Sequence, residues 1–122
     1  MTTVITRYFE DAAQCRAVQS ELLYSRGFPA RIVTVFDSPD GLVGALTAAE
    51  VKAATADTYQ AKMAKGGAVL LVRAGYRPLG AAKTTRLLAA SMGGAALDNV
   101  VEQVVVKDKL EPIPKVLAGG PR

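Results

Sequence analysis

Hydrophobic positions along this chain alternate between short β-branched runs and longer stretches with helical spacing. Residues 2–9, TTVITRYF, are β-branched and aromatic and predict a first strand. Glu10 and Asp11 then mark a helix start, where acidic groups sit at the positive end of the backbone dipole. Ala12, Cys15, Val18 or Gln19, Leu22 and Leu23 recur at three to four residues, the spacing of one buried helical face up to about Arg26. Gly27 is the stop, with Phe28 and Pro29 just beyond it. Residues 30–36, ARIVTVF, predict a second strand, so the chain opens as a β-α-β unit.

Residues 37–44, DSPDGLVG, carry turn chemistry: Asp37 and Ser38 bond local backbone, and Pro39 and Gly41 suit a turn. Thr47 and Glu50 have capping-box spacing and predict the start of a second helix that runs to about Lys65. Gly66 and Gly67 end it. Residues 68–74, AVLLVRA, are a continuous apolar run with no polar alternation, which suits a third strand covered on both faces. Gly75, Pro78 and Gly80 hold the next residues out of regular structure, and a third helix starts at Ala81 and stops before Gly93. In that helix Ala82, Leu87 or Leu88, and Ala89 share one face, with Lys83, Thr84 and Arg86 towards the other. Residues 95–101 link to a fourth strand at 102–107, EQVVVK. Residues 108–122, with three prolines and two glycines, read as an extended tail.

The order β-α-β, turn and helix, β-α-β predicts an α/β (α+β) domain over residues 1–107. The economical arrangement is a ferredoxin-like split β-α-β sandwich. It has a four-stranded antiparallel sheet, helices on one face and an extra helix between strands two and three. The alternative is an open, mostly parallel α/β sheet, because the second helix is long enough to cross over.

Composition narrows the chemistry. The chain has 122 residues, enough for one domain with its own core. Half of the residues are hydrophobic, yet no apolar run approaches the roughly 20 residues of a spanning helix. The start of the chain lacks the basic-then-apolar pattern of a signal peptide. A cytoplasmic protein is therefore expected. The single cysteine, Cys15, precludes an internal disulfide and fits a reducing compartment. There is no histidine, which removes Ser-His and Cys-His nucleophilic systems and the usual zinc sets. Asp37 and Asp40 make a turn with two solvated carboxylates more simply than a cation site. Tyr76 beside Arg77, or Tyr8 with Glu10, offers no defined reaction class. No catalytic residue, metal or cofactor is expected. The net charge of +4 comes from basic residues spread along the chain, which permits anionic contacts without arguing for nucleic acid.

Two candidate surfaces remain. One is an anion or nucleotide site at the start of the third helix, from Arg77, Gly80, Lys83, Thr84 and Arg86, where backbone N–H groups and positive charge converge. Gly75 and Gly80 have the spacing of a phosphate-binding loop, but Ala81 and Ala82 intervene before Lys83 and Thr84, so the hydrolase signature fails. The other is a protein-interaction surface. It comprises the narrow stripe Val51, Tyr59 and Met63 on the second helix, with Pro112, Ile113, Pro114, Val116 and Leu117 on the tail.

The Tyr8-Phe9 strand end before Glu10-Asp11-Ala12-Ala13, the helix end Arg26-Gly27-Phe28 and the strand from Ala30 resemble the opening of small bacterial heat-induced stress proteins with ferredoxin-like domains. The resemblance covers residues 1–37 and implies a small, non-catalytic, often oligomeric cytoplasmic protein. The expected function is a non-enzymatic interaction or accessory subunit that self-associates or joins a larger bacterial assembly. The alternatives are a regulatory anion- or nucleotide-binding domain and an RNA-binding ferredoxin-like domain. The last is disfavoured because strand three carries no aromatic for base stacking.

Overall fold

The computed structural model describes residues 2–75 and 80–94, together with the backbone of 103–105. Strand β1 (Thr2–Phe9) is central and pairs antiparallel, from Thr3 to Phe9, with all of β3 (Ala68–Ala74). The short β2 (Val33–Phe36) pairs antiparallel with β3 on the other side. The three-residue β4 (Gln103–Val105) pairs antiparallel with the start of β1, so the sheet order is β2-β3-β1-β4. The mostly parallel alternative is thereby excluded.

The described helices are α1 (Ala12–Ser20), α2 (Leu42–Ala48), α3 (Ala53–Met63) and α4 (Ala81–Ser91). They cover both faces of the sheet, not one as the sequence suggested. Period-two alternation sends Ile5 and Phe9 of β1 and Leu70 and Val72 of β3 to one side, where they pack with Cys15, Val18 and Leu22 of the first helix and Ala81 and Ala89 of α4. Val4 and Tyr8 of β1 and Val69 and Leu71 of β3 face the other side and pack with Leu42, Leu46, Val51, Ala56, Tyr59 and Met63. The segment between β2 and β3 is therefore the second layer of the domain rather than an appendage.

That segment is two helices, not one. Gly41, at φ 71°, precedes α2, which ends when Glu50 takes a left-handed φ of 73°. Thr47 does not cap a following helix. Its hydroxyl donates back to the Val43 and Gly44 carbonyls, at 2.9 and 3.1 Å. Arg73 of β3 then anchors the break, its Nη2 lying 3.0 Å from Glu50 Oε1.

The first helix starts as expected, with the Asp11 carboxylate accepting from the Ala13 N–H at 2.8 Å. Its last turn, Glu21–Ser25, is π-helical rather than α-helical. Phe28 N–H donates to the Leu22 carbonyl at 2.9 Å across Gly27, whose φ of 72° makes this a Schellman-type stop. A short 3₁₀ turn, Ala30–Ile32, shortens β2 from the expected 30–36 to four residues.

Candidate interaction surface along the fourth helix

Helix α4 presents three different stripes. Ala81, Thr85 and Ala89, four residues apart, turn inward and are buried. Of the expected core face of Ala82, Leu87 or Leu88, and Ala89, the structure selects Leu88: Ala89 is buried, Ala82 and Leu88 pack partly buried against the same core, and Leu87 is 62% exposed, while small residues let the helix lie close to the bulky side chains of β1 and β3. One turn round, Thr84, Leu87, Leu88 and Ser91 form an i, i+3, i+4, i+7 stripe. With Arg26, from the end of the first helix, they line a groove of about 250 Å³. The Ser91 hydroxyl is turned back onto the Leu88 carbonyl, 2.8 Å away. Arg26 is half-exposed, and its Nε lies 3.6 Å from Glu21 Oε2, an ion pair of small net worth in water. Lys83 and Arg86 stand on the exposed side of the helix.

The groove is an apolar wall with a cation at its edge and two hydroxyls. It suits an apolar side chain of a partner flanked by an acidic group, and it holds no nucleophile with an activating base.

Of the five residues expected to hold an anion, the described ones fall on different parts of this helix. Gly80 is its N-cap at φ 75°, and its carbonyl accepts from the Thr84 N–H at 2.9 Å. Thr84 faces the groove, whereas Lys83 and Arg86 are exposed. Arg77 lies outside the described residues, as does Tyr76. The expected interaction stripe on the second helix is consumed within the chain: Tyr59 is fully buried, and Met63 and Val51 are 2% and 7% exposed. The reason is the second sheet face, which needs an apolar cover and takes it from these side chains. Pro112, Ile113, Pro114, Val116 and Leu117 lie outside the described residues. Sequence reasoning missed Arg26, Leu87, Leu88 and Ser91. Their common stripe was legible in the spacing, but the groove forms only because the first helix ends beside it.

The other candidate chemistry is quiet. Cys15 is buried, and burial, more than the opposing pull of Arg16 or the push of Asp37, raises its thiol to about 12. It is a packing residue, not a nucleophile. Tyr8 is also raised, first by burial and then by Glu10, and its hydroxyl donates to the Gly66 carbonyl at 2.6 Å. Lys62 lies over the Tyr8 ring at 5.5 Å, a cation–π contact. Asp37 is paired with Arg16, and among the described residues no acidic cluster is arranged to hold a metal ion. Among the same residues no helix is long and apolar enough to cross a membrane.

Fold and surface together describe a small α/β domain with helices on both faces of its sheet and a groove along α4. Residues 23–122 match the PucE light-harvesting protein-like family, and the chain belongs to that family. It is similar to protein PucD of Rhodobacter capsulatus, with 39% identity over 94 residues, covering 74% of this chain and 81% of the relative. No solved structure matches. The family is one of light-harvesting accessory proteins and not of enzymes. The resemblance of residues 1–37 to heat-induced stress proteins is overturned by this match. A strand, a helix and a strand of ordinary length recur in many α/β domains, and no residue in that opening is diagnostic.

Proposed function

We propose that this chain is a non-enzymatic accessory protein of a light-harvesting system, acting through protein–protein contacts and self-association. The family match over residues 23–122 carries the reading, and it spans every residue that lines the α4 groove. The chain contains no histidine, so it has no imidazole with which to ligate a pigment metal. A role beside pigment-carrying polypeptides suits it better than a role as one. The sheet order β2-β3-β1-β4, with helical crossovers, supports a ferredoxin-like split β-α-β frame to which the α2–α3 pair adds a second cover. Both covers also speak against RNA binding, because helices occupy the faces where bases would stack.

The partner side is the groove of Arg26, Thr84, Leu87, Leu88 and Ser91. The test is co-migration of the full chain with detergent-solubilised light-harvesting complexes of a photosynthetic bacterium. Wild-type protein is expected in the complex fraction, and Leu87→Glu, a change at an exposed position, is expected to leave it. Wild-type protein that never co-migrates would sink the accessory reading. Unimpaired co-migration of Leu87→Glu would remove the groove alone.

A second, regulatory reading rests on the basic residues in the sequence around the start of α4, an anion bound by Arg77, Gly80, Lys83, Thr84 and Arg86. Phosphate or a nucleotide would then raise the melting temperature of wild type but not of Lys83→Ala. No shift with either anion rejects it.

A further inference from the structure

Strand β2 is at the end of the sheet order, so one row of its backbone N–H and C=O groups has no strand partner among the described residues. Sheet edges of this kind are usually blunted by lysine, proline or a bulge. Residues Val33, Thr34, Val35 and Phe36 contain none of these chemistries, and all but Val33 are only half-buried. With both sheet faces covered by helices, the described sheet can grow only at its ends, and β2 is the end whose side chains are described.

The charges flanking β2 select the occupant. Arg31 precedes the strand, is exposed and has no ion-pair partner among the described residues. Asp37 follows it, only partly satisfied by Arg16 because both side chains remain 52% exposed, and exposed Asp40 lies just beyond. One end of the strand is thus basic and the other acidic. Parallel pairing of two copies would set like charges together at each end. Antiparallel pairing about a two-fold axis sets the basic end of each copy against the acidic end of the other.

We propose that two copies of this chain associate by antiparallel pairing of their β2 edges, centred on Thr34, which joins the two sheets into one. Thr34 then lies against its own copy, Val33 against the copy's Val35, and Arg31 of each chain beside the other's Asp37. The pairing rests on the self-association proposed above and gives it a surface. That surface is separate from the α4 groove, which stays free for a different partner.

The experiment is native mass of the full chain by size exclusion with light scattering, across the micromolar range, for wild type, Thr34→Lys and Thr34→Glu. The wild type is expected as a dimer. Each charged variant is expected at half that mass, because like charges then meet on the two-fold axis. Mixing the two variants is expected to restore the dimer mass.

Thr34→Cys supplies a second measurement should a charged variant lose its thermal melt. Directly opposed residues in an antiparallel pair have Cα atoms about 4.5–5.5 Å apart, within the span of a disulfide. The native Cys15 is buried and does not compete. Mild oxidation is expected to give a covalent dimer for Thr34→Cys and none for Lys83→Cys on α4. A dimer that tolerates Thr34→Lys, with no cross-link at Thr34→Cys, overturns the edge pairing and leaves self-association through another surface. A monomer at every concentration overturns both.

Discussion

Tyr59 is the side chain through which the α2–α3 layer is joined to the sheet, and its replacement tests whether that layer belongs to the folded unit. Its ring is fully buried among Val4, Leu46, Leu71 and their neighbours, and its hydroxyl donates to the Thr6 carbonyl of β1 at 2.9 Å. Two terms can be separated. Tyr59→Phe keeps the ring and removes the bond to a buried carbonyl, a loss of about 1–2 kcal/mol, since an orphaned buried acceptor forfeits its hydration as well. Tyr59→Ala also removes the ring and leaves a cavity between layer and sheet, a further loss that brings the total to about 3–5 kcal/mol.

Urea unfolding followed by far-UV circular dichroism reads both. With a slope of about 2 kcal/mol per molar, the Phe variant's midpoint falls by about 0.5–1 M, and the Ala variant's by about 1.5–2.5 M. Tyr24→Ala, at a position 84% exposed, serves as the control and stays within about 0.5 kcal/mol of wild type. Should Tyr59→Ala fall inside that same narrow range, the second layer contributes nothing to the cooperative unit, and the two-faced sheet is refuted. A Phe variant as costly as the Ala variant would instead show that the hydroxyl, not the ring, holds the layer.

Other changes test separate contacts. Gly67→Ala places a Cβ against the Phe9 carbonyl oxygen and the Tyr8 hydroxyl, closer than van der Waals contact allows, at a φ of 92°. Because backbone cannot step aside as a flexible side chain would, the loss is expected at about 3 kcal/mol or more in a urea melt, and a neutral outcome contradicts this packing. Thr85 Oγ1 is buried in α4 without a hydrogen-bond partner among the described residues. Thr85→Val is therefore expected to raise stability by up to about 1 kcal/mol, and a clear loss in thermal melting would reveal a bond not accounted for. The Cys15 thiol is raised on folding to about 12. Its contribution is thus complete below the unfolded value of about 8.5 and is lost as pH rises towards 12, at up to about 1.4 kcal/mol per pH unit. Cys15→Ala should flatten the alkaline limb of a stability–pH curve, and an unchanged slope assigns that limb to other groups.

The strands were legible because each carries its own local signal. TTVITRYF and AVLLVRA are strands over the expected residues, and the second strand is shorter only because Ala30–Ile32 closes a 3₁₀ turn. AVLLVRA even carried the two-sided burial of β3, since no residue from 68 to 72 can face water without exposing an apolar side chain. What local spacing could not show is which element covers the second face. Thr47 and Glu50 have the spacing of a capping box, yet Thr47 lies in the last turn of α2 and Glu50 forms the break. Leu42 and Leu46, four apart after Gly41, were the competing signal, masked by the turn residues immediately before them. The groove was illegible for a different reason. Arg26 is about 60 positions from Thr84, Leu87 and Ser91 in sequence, and only the packing of α1 and α4 on the same sheet face brings the two regions together.

The second layer also changes where this protein can meet others. A sheet with helices on one side would offer its bare face, and Val51, Tyr59 and Met63 would have stood beside it as a docking stripe. Those side chains are instead the cover itself, so removing them for a partner would expose Val69 and Leu71 and undo part of the core. Two surfaces among the described residues allow recognition at no cost in unfolding: the groove beneath Leu87 and the free edge of β2. These differ in the partner they select. The groove is asymmetric, a cation beside an apolar wall, and favours an unlike chain. The β2 edge is basic at one end and acidic at the other, and favours its own copy. The helix pair that closes the second face leaves both of these surfaces open.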